Sequence, residues 1–319
     1  MESRKSDVWT AVILGLVVPG VLLNCGAAVI KLPPKEEPPT TTAIQETQPE
    51  TVELPALVRT GEQVKEGQLD AYLVGVVLAE MPASFEEEAL KAQAVAARTY
   101  ARKAWNTGGK HGDGSVCTDS GCCQAYISPE AYLEQGGTQE GLDKIHRAVA
   151  ETSGQVLTYQ GELIEATYFS SAGGSTESAV AVWGTDYPYL QAVESPETGK
   201  EETLTFTPAD FQQALGRTLS GTPDSWFSQV RYTDGGGVAS MTIAGEIYTG
   251  TALRSLLGLP STAFAIEAGD TITITTRGYG HRVGLSQYGA DAMAVTGGDY
   301  REILAHYYPG TEIVLAGEQ

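Results

Sequence analysis

Between Val8 and Ile30 the chain runs for about 23 residues without a formal charge, with Arg4 and Lys5 before it and Lys31 after it. As a helix rising ~1.5 Å per residue, this segment reaches ~34 Å, enough to cross a hydrocarbon core of ~30 Å. Basic residues ahead of such a span hold the N-terminus inside. Residues 1–7 are therefore expected to be a cytoplasmic tail and 8–30 a transmembrane anchor, with the rest of the chain outside the cytoplasm. A cleaved signal peptide is the competing reading, with Ala27 and Ala28 as the small residues of a cut site; both readings export the protein. Cys25 follows Asn24, a poor small residue for lipid attachment, and reads as a plain membrane cysteine.

The export signal is followed by a stretch that cannot fold. Residues 31–57 carry Pro33, Pro34, Pro38, Pro39, Pro49 and Pro55 among Thr and Glu, with few large apolar side chains, too little to offset chain entropy. They read as a tether, leaving 58–319 as the folded ectodomain. A formal charge of -20, from 40 acidic and 20 basic side chains, argues against nucleic acid as a partner, because a phosphate backbone selects clustered Lys and Arg. The cluster Glu86, Glu87 and Glu88 reads as solvated surface.

Within the ectodomain the chain opens on helical periodicity. Leu69, Tyr72, Leu73, Val76 and Val77 mark an amphipathic helix over 68–80, stopped by Pro82. Ser84 and Glu87 have capping-box spacing for a second helix running to Trp105, whose Ala-rich interior either admits a close neighbour or simply reflects helix propensity. After a glycine-rich loop at 108–121, β character is expected at 155–169, 231–248 and 271–276, and short helices at 142–151, 209–215 and 300–307. No repeated strand–helix–strand rhythm occurs, so the fold class is α+β.

The loop at 108–121 and its flank place His111, Cys117, Cys122 and Cys123 within thirteen positions, interleaved with Gly112, Gly114 and Gly121. Three thiolates and an imidazole match the tetrahedral preference of Zn2+, and four protein ligands make a closed, structural site. A disulfide with one cysteine left over, or free thiols, are the alternatives an exported location permits.

Three long blocks, LDAYLVGVVLAEMPASFEEEALKAQAVAARTYA (69–101), YFSSAGGSTESAVAVWGTDYPYLQAVESP (168–196) and GYGHRVGLSQYGADAMAVTGGDYREILAHYYPGTEI (278–313), resemble the signature regions of the stage II sporulation protein D family. The resemblance implies a lytic transglycosylase that cleaves peptidoglycan strands already stripped of stem peptides during engulfment of the forespore. It places the catalytic glutamate of the Ala-Glu-Met-Pro motif at Glu80. Such an acid must be held neutral by its surroundings to deliver a proton to the glycosidic oxygen. A hydrolase needs a second carboxylate, and Glu165 and Asp186 are the candidates.

Around Glu80 a glycan-binding cleft is expected. Lys91 and Arg98 are candidates for the lactyl carboxylate of muramic acid, Tyr168, Ser170 and Ser171 ahead of Gly173-Gly174 for sugar hydroxyls, and Gln287 and Tyr288 for the cleft-facing side of the last block. Ser171 lacks a Gly-x-Ser-x-Gly setting, which argues against serine hydrolysis. His281 is either an assisting group or a loop histidine. Some family members carry zinc in the cysteine loop with His, Cys, His and Cys, and this chain has Cys122 where the second histidine falls. The resemblance also implies two membrane partners, stage II sporulation proteins P and M. A noncatalytic wall-binding protein that modifies an amidase is the alternative function.

Overall fold

The computed structural model describes residues 66–316, apart from positions 113 and 115. The expected tail, anchor and tether lie outside these residues, and among the described residues no helix is long and apolar enough to cross a membrane. What is described is a mixture of helices and short sheets, as the α+β expectation had it.

The axis of the larger core is α2 (Glu87–Thr107). Ala89, Ala92, Ala94, Ala96, Ala97 and Ala101 are all fully buried, so the helix is enclosed around much of its circumference. Contacting it are α1 (Glu66–Glu80), α4 (Gln139–Glu151), α8 (Gln287–Val295), α9 (Tyr300–Tyr307) and β1 (Gln155–Tyr159). Methyl side chains let that many neighbours approach one helix, and the close-neighbour reading of its alanines is the one observed.

The expected capping box at Ser84 does not form. A turn closed by Phe85 N–H on the Pro82 carbonyl carries the chain to Glu86, which is the N-cap and makes no side-chain cap bond. Instead the Glu86 amide donates to Asp291 Oδ1 of α8 at 2.7 Å, so this helix start is satisfied from across the fold.

Short elements complete this core. The helix α3 (Pro129–Glu134), capped by Ser128, lies against α1. Strand β1 is the middle of an antiparallel sheet between β2 (Glu162–Leu163) and the C-terminal β11 (Glu312–Leu315), with Gln155 opposite Leu315. Strand β3 (Tyr168–Phe169) pairs in parallel with β10 (Leu285–Ser286), which brings the second and third sequence blocks together. After β3 the chain forms α5 (Ala179–Trp183).

Residues 201–277 build a second core. An antiparallel sheet has β9 (Ile272–Arg277) between β4 (Glu201–Phe206) and β8 (Ala263–Ala268); another has β6 (Val238–Ile243) between β5 (Phe227–Tyr232) and β7 (Glu246–Thr249). With α6 (Pro208–Leu215) and α7 (Gly250–Leu257) they enclose Phe211, Trp226, Met241, Leu253, Ile272 and Ile274. The β stretch expected at 231–248 is thus parts of three strands, and the β6–β7 hairpin turns on Ala244-Gly245, both at positive φ, as a two-residue turn of matching twist requires.

Arg282 staples the two cores. It is buried at φ 65°, ion-paired to Glu177 at 3.2 Å, and donates to the carbonyls of Ala172, Ser175 and Gly235. Glu177 Oε1 also accepts from Thr233 Oγ1 and the Gly237 amide in the β5–β6 turn. A Cβ on Gly237 would stand 2.2 Å from that carboxylate oxygen, so the approach needs glycine.

Candidate active site

Glu80 is the last residue of α1 and is partly buried. Its Oε1 accepts from the Ala125 amide at 2.8 Å and its Oε2 from Gln287 Nε2 at 3.2 Å. Burial pushes its pKa above the ordinary carboxylate range, against those two hydrogen bonds, which favour the charged form. The Ala125 donor is held in place because residues 124–127 cross directly over α1. Ile127 N–H donates to the Gly75 carbonyl, and a Cβ on Gly75 would fall 2.2 Å from the Tyr126 ring.

Beside the carboxyl, Gln124 is fully buried and uses its whole amide: Nε2 donates to the Ala97 carbonyl and to Tyr168 Oη at 2.8 Å, and Oε1 accepts from Tyr72 Oη at 3.1 Å. Burial, with the Glu80 charge nearby, raises the Tyr168 phenol well above its usual pKa, keeping it neutral.

The Gln287 side is positioned by a buried carboxylate. Glu197 Oε1 accepts from Ser286 Oγ at 2.9 Å, from Ser171 Oγ and the Gly173 amide at 3.3 Å, and from the Ala172 amide; its Oε2 accepts from Ser195 Oγ. Ser286 in turn caps α8 by accepting from the Gly289 amide. A Cβ on Gly289 would lie 1.9 Å from Tyr307 Oη, so glycine lets α8 start against this network. Gln287 and Tyr288 open α8; the Tyr288 amide donates to the Ser170 carbonyl, and its ring meets Phe85 edge-on with centroids 5.0 Å apart.

Of the candidates read from sequence, Glu80, Gln287, Tyr288, Tyr168 and Ser170 are brought together. Three others are not available to a glycan. Arg98 is 0% exposed, ion-paired to Asp70 at 2.8 Å and donating to the carbonyls of Val149 and Gln155, because α2 is an interior helix rather than a cleft wall. Lys91 is spent on Glu88 and Glu151, each at 2.7 Å. Ser171 is fully buried and donates to Glu197. His281 is the loop histidine of its two readings: Nδ1 accepts from the Val283 amide, the ring lies against Phe169 and Trp183, and burial, then the charges of Arg254 and Lys110, lower its pKa to about 4. Glu165 pairs with Lys103, and Asp186 accepts from Gln191. Gln124, Ala125 and Glu197 escaped the sequence reading; an amide donor leaves no side-chain signal, and the other two show their roles only through partners far along the chain.

His111, Cys117, Cys122 and Cys123 converge, with all ligand atoms within 4.8 Å of one another. The Cys122 and Cys123 sulfurs are 3.8 Å apart and His111 Nε2 is 3.7 and 3.4 Å from them. A tetrahedral ion at ~2.3 Å from sulfur and ~2.05 Å from nitrogen would require edges of about 3.8 and 3.6 Å, so the donor set fits such an ion. The three thiols form no disulfide. Burial works against the Cys117 thiolate, but hydrogen bonds from Asp119, His111, Cys122 and Cys123 outweigh it and bring its pKa down to about 7. The loop runs from Cys123 straight into Gln124 and Ala125, the residues that hold Glu80 and its neighbours.

Comparison with known proteins places the chain in a family. The family model described as stage II sporulation protein matches residues 59–159, which contain Glu80 and the cysteine loop. A stage II sporulation protein D of Bacillus subtilis (strain 168) is 43% identical over 82% of this chain and 79% of its own length, and one of Bacillus amyloliquefaciens is 39% identical over 94% and 92%. An amidase enhancer of Bacillus subtilis (strain 168) is 32% identical over 76% of this chain but 40% of its own length. With such identity spanning nearly the whole of both partners, the chain belongs to the stage II sporulation protein D family.

Proposed function

We propose that this protein is a sporulation-associated lytic transglycosylase that cleaves the MurNAc–GlcNAc bond of peptide-free peptidoglycan strands, with Glu80 as its single general acid and base. The observation carrying this reading is a carboxyl whose pKa is raised by burial while both oxygens are fixed, by the Ala125 amide and Gln287. Protonated Glu80 gives its proton to the glycosidic oxygen as the bond to the anomeric carbon breaks. The resulting carboxylate then takes the proton of the muramic acid C6 hydroxyl, whose oxygen bonds to that carbon and closes a 1,6-anhydro ring. No water is consumed, and the acid returns to its starting state.

The test is incubation of the full chain with peptide-free strands and mass spectrometry of the products. Products lighter by one water, absent with Glu80→Gln, support the reading; products with a free reducing end replace it with hydrolysis. The amidase-enhancer relative motivates a second reading, a noncatalytic protein that binds wall glycan and stimulates an amidase. That reading gains if the protein activates an amidase and Glu80→Gln does so equally well.

We further infer that His111, Cys117, Cys122 and Cys123 hold structural Zn2+, which when bound would tie the loop into one piece and so steady Gln124 and Ala125. Elemental analysis should find about one zinc per chain, and none in Cys117→Ser with Cys122→Ser; a metal-free parent sinks the inference. The family relation and the Val8–Ile30 run together support a membrane-anchored protein facing the septal space, working beside stage II sporulation proteins P and M. Membrane fractionation and crosslinked pull-down check both points, and a soluble parent that captures neither protein would refute them.

A further inference from the structure

The two cations that the sequence offers for an anionic sugar, Lys91 and Arg98, are consumed inside the fold. In a chain of net charge -20 an ammonium with no carboxylate partner, held next to the helix start that reaches Glu80, is therefore informative. Lys200 supplies one. It is exposed, and its Nζ lies 4.1 Å from the centroid of the Tyr288 ring. Among the described residues no carboxylate lies within ion-pair distance of it. Lysine side chains on a surface ordinarily extend into water; one laid across a tyrosine face is held there by the ring's negative electrostatics.

Position and rigidity point the same way. Tyr288 directly follows Gln287, which donates to Glu80, and its ring touches Phe85, in the turn that follows Glu80. The Tyr288 ring thus touches both the Lys200 ammonium and Phe85 of the segment that follows the acid. The lysine's backbone is pinned too: its carbonyl accepts from the Gly278 amide at 2.9 Å, and the preceding Gly199 approaches Gly173 so closely that a Cβ would stand 2.9 Å from its Cα. Glu197, the nearest preceding carboxylate, is buried in its own network, and Glu201 lies opposite Arg277 in the β4–β9 ladder.

We propose that Lys200, backed by Tyr288, binds the free lactyl carboxylate of a muramic acid residue seated beside Glu80, and that this contact is what favours strands without stem peptides. The proposal rests on the glycan reading above. A stem peptide converts that carboxylate to a neutral amide, removing the charge that the ammonium recognises.

The experiment measures binding rather than cleavage, using the full chain carrying Glu80→Gln. Its ligands are peptide-free strands and the same strands with carboxyl groups reduced to alcohols. The native strands should bind about tenfold more tightly, the scale of one charge-assisted contact, and the preference should weaken with added salt. Lys200→Gln should abolish the preference without changing affinity for reduced strands, whereas Lys200→Arg should keep it. A preference that survives Lys200→Gln, or that is missing while Lys200 is present, overturns the proposal. Failure of the parent to release anhydro products would count against the transglycosylase reading alone, because the binding preference needs no turnover.

Discussion

The two cores of this protein bury different kinds of side chain. The buried charged groups among the described residues, Arg98, Glu177, Glu197 and Arg282, lie outside 201–277, whereas the core within 201–277 encloses apolar side chains and a few neutral hydroxyls, those of Ser261, Thr262 and Thr276. Taking charge out of water is costly, and it persists where each charged group has partners. Those partners are structural for the most part: Arg98 ties α2 to α1 through Asp70, Arg282 and Glu177 join the two cores, and Glu197 alone supports the start of α8 from which Gln287 reaches Glu80. The second core carries none of that cost and is a scaffold that sets Lys200 at one edge and receives Arg282 at another.

Four measurements press on this contrast, beginning with the largest effect. Arg98→Ala breaks the ion pair of a fully buried guanidinium with half-buried Asp70, strands the Val149 and Gln155 carbonyls it serves, and should cost about 3–5 kcal/mol in urea unfolding. A stable variant with weakened glycan binding would instead return Arg98 to a substrate role. In the second core Leu253→Ala should cost about 2–5 kcal/mol as well, through a cavity, yet leave turnover of the folded protein unchanged. Lost turnover at full folding would show that the second core does more than support. Gly75→Ala should cost about 1–3 kcal/mol by overpacking against Tyr126, and should depress turnover beyond the folded fraction because it displaces the Ala125 amide. Wild-type turnover in that variant would mean the amide does not matter.

The smallest effect is a pH dependence. Glu80 has a higher pKa in the fold than in the unfolded chain, so the native state binds the extra proton between the two values. Its stabilising contribution is complete below the unfolded pKa, near 4.3 by the ordinary range, and is lost as pH rises through the folded pKa. Relative to Glu80→Gln the parent should therefore lose stability as pH climbs from about 4 toward neutral, read as a shift between the two urea midpoints. A parallel course of the two midpoints would show that Glu80 titrates normally.

What the sequence disclosed follows from where the determining partners lie. The helix expected at 68–80 is α1 to within two residues, since apolar spacing and Pro82 are local signals. The helix expected from Ser84 starts at Glu87, and the amide of its N-cap Glu86 is held by Asp291, some two hundred residues away, which no local signal announces. Strand β4, Glu-Glu-Thr-Leu-Thr-Phe, gave no warning because its burial does not alternate cleanly, and β8 is similar. At the site, Glu80 was found through its motif and the metal-type cluster through residue types that have few other uses at such spacing. Lys91 and Arg98 misled because helical periodicity reveals which residues share a face, but α2 is surrounded, and nothing local distinguishes a cleft wall from an interior one.

The crowding around α2 also bears on how the protein can diverge. At Ala92, Ala94, Ala96 and Ala97 a methyl group already fills the available room, so one more carbon at any of them must shift a neighbouring helix or strand. Room for substitution therefore lies away from the central rod, and an engineer reshaping the surface around Tyr288 would redraw Ser170 and Lys200 and leave α2 alone.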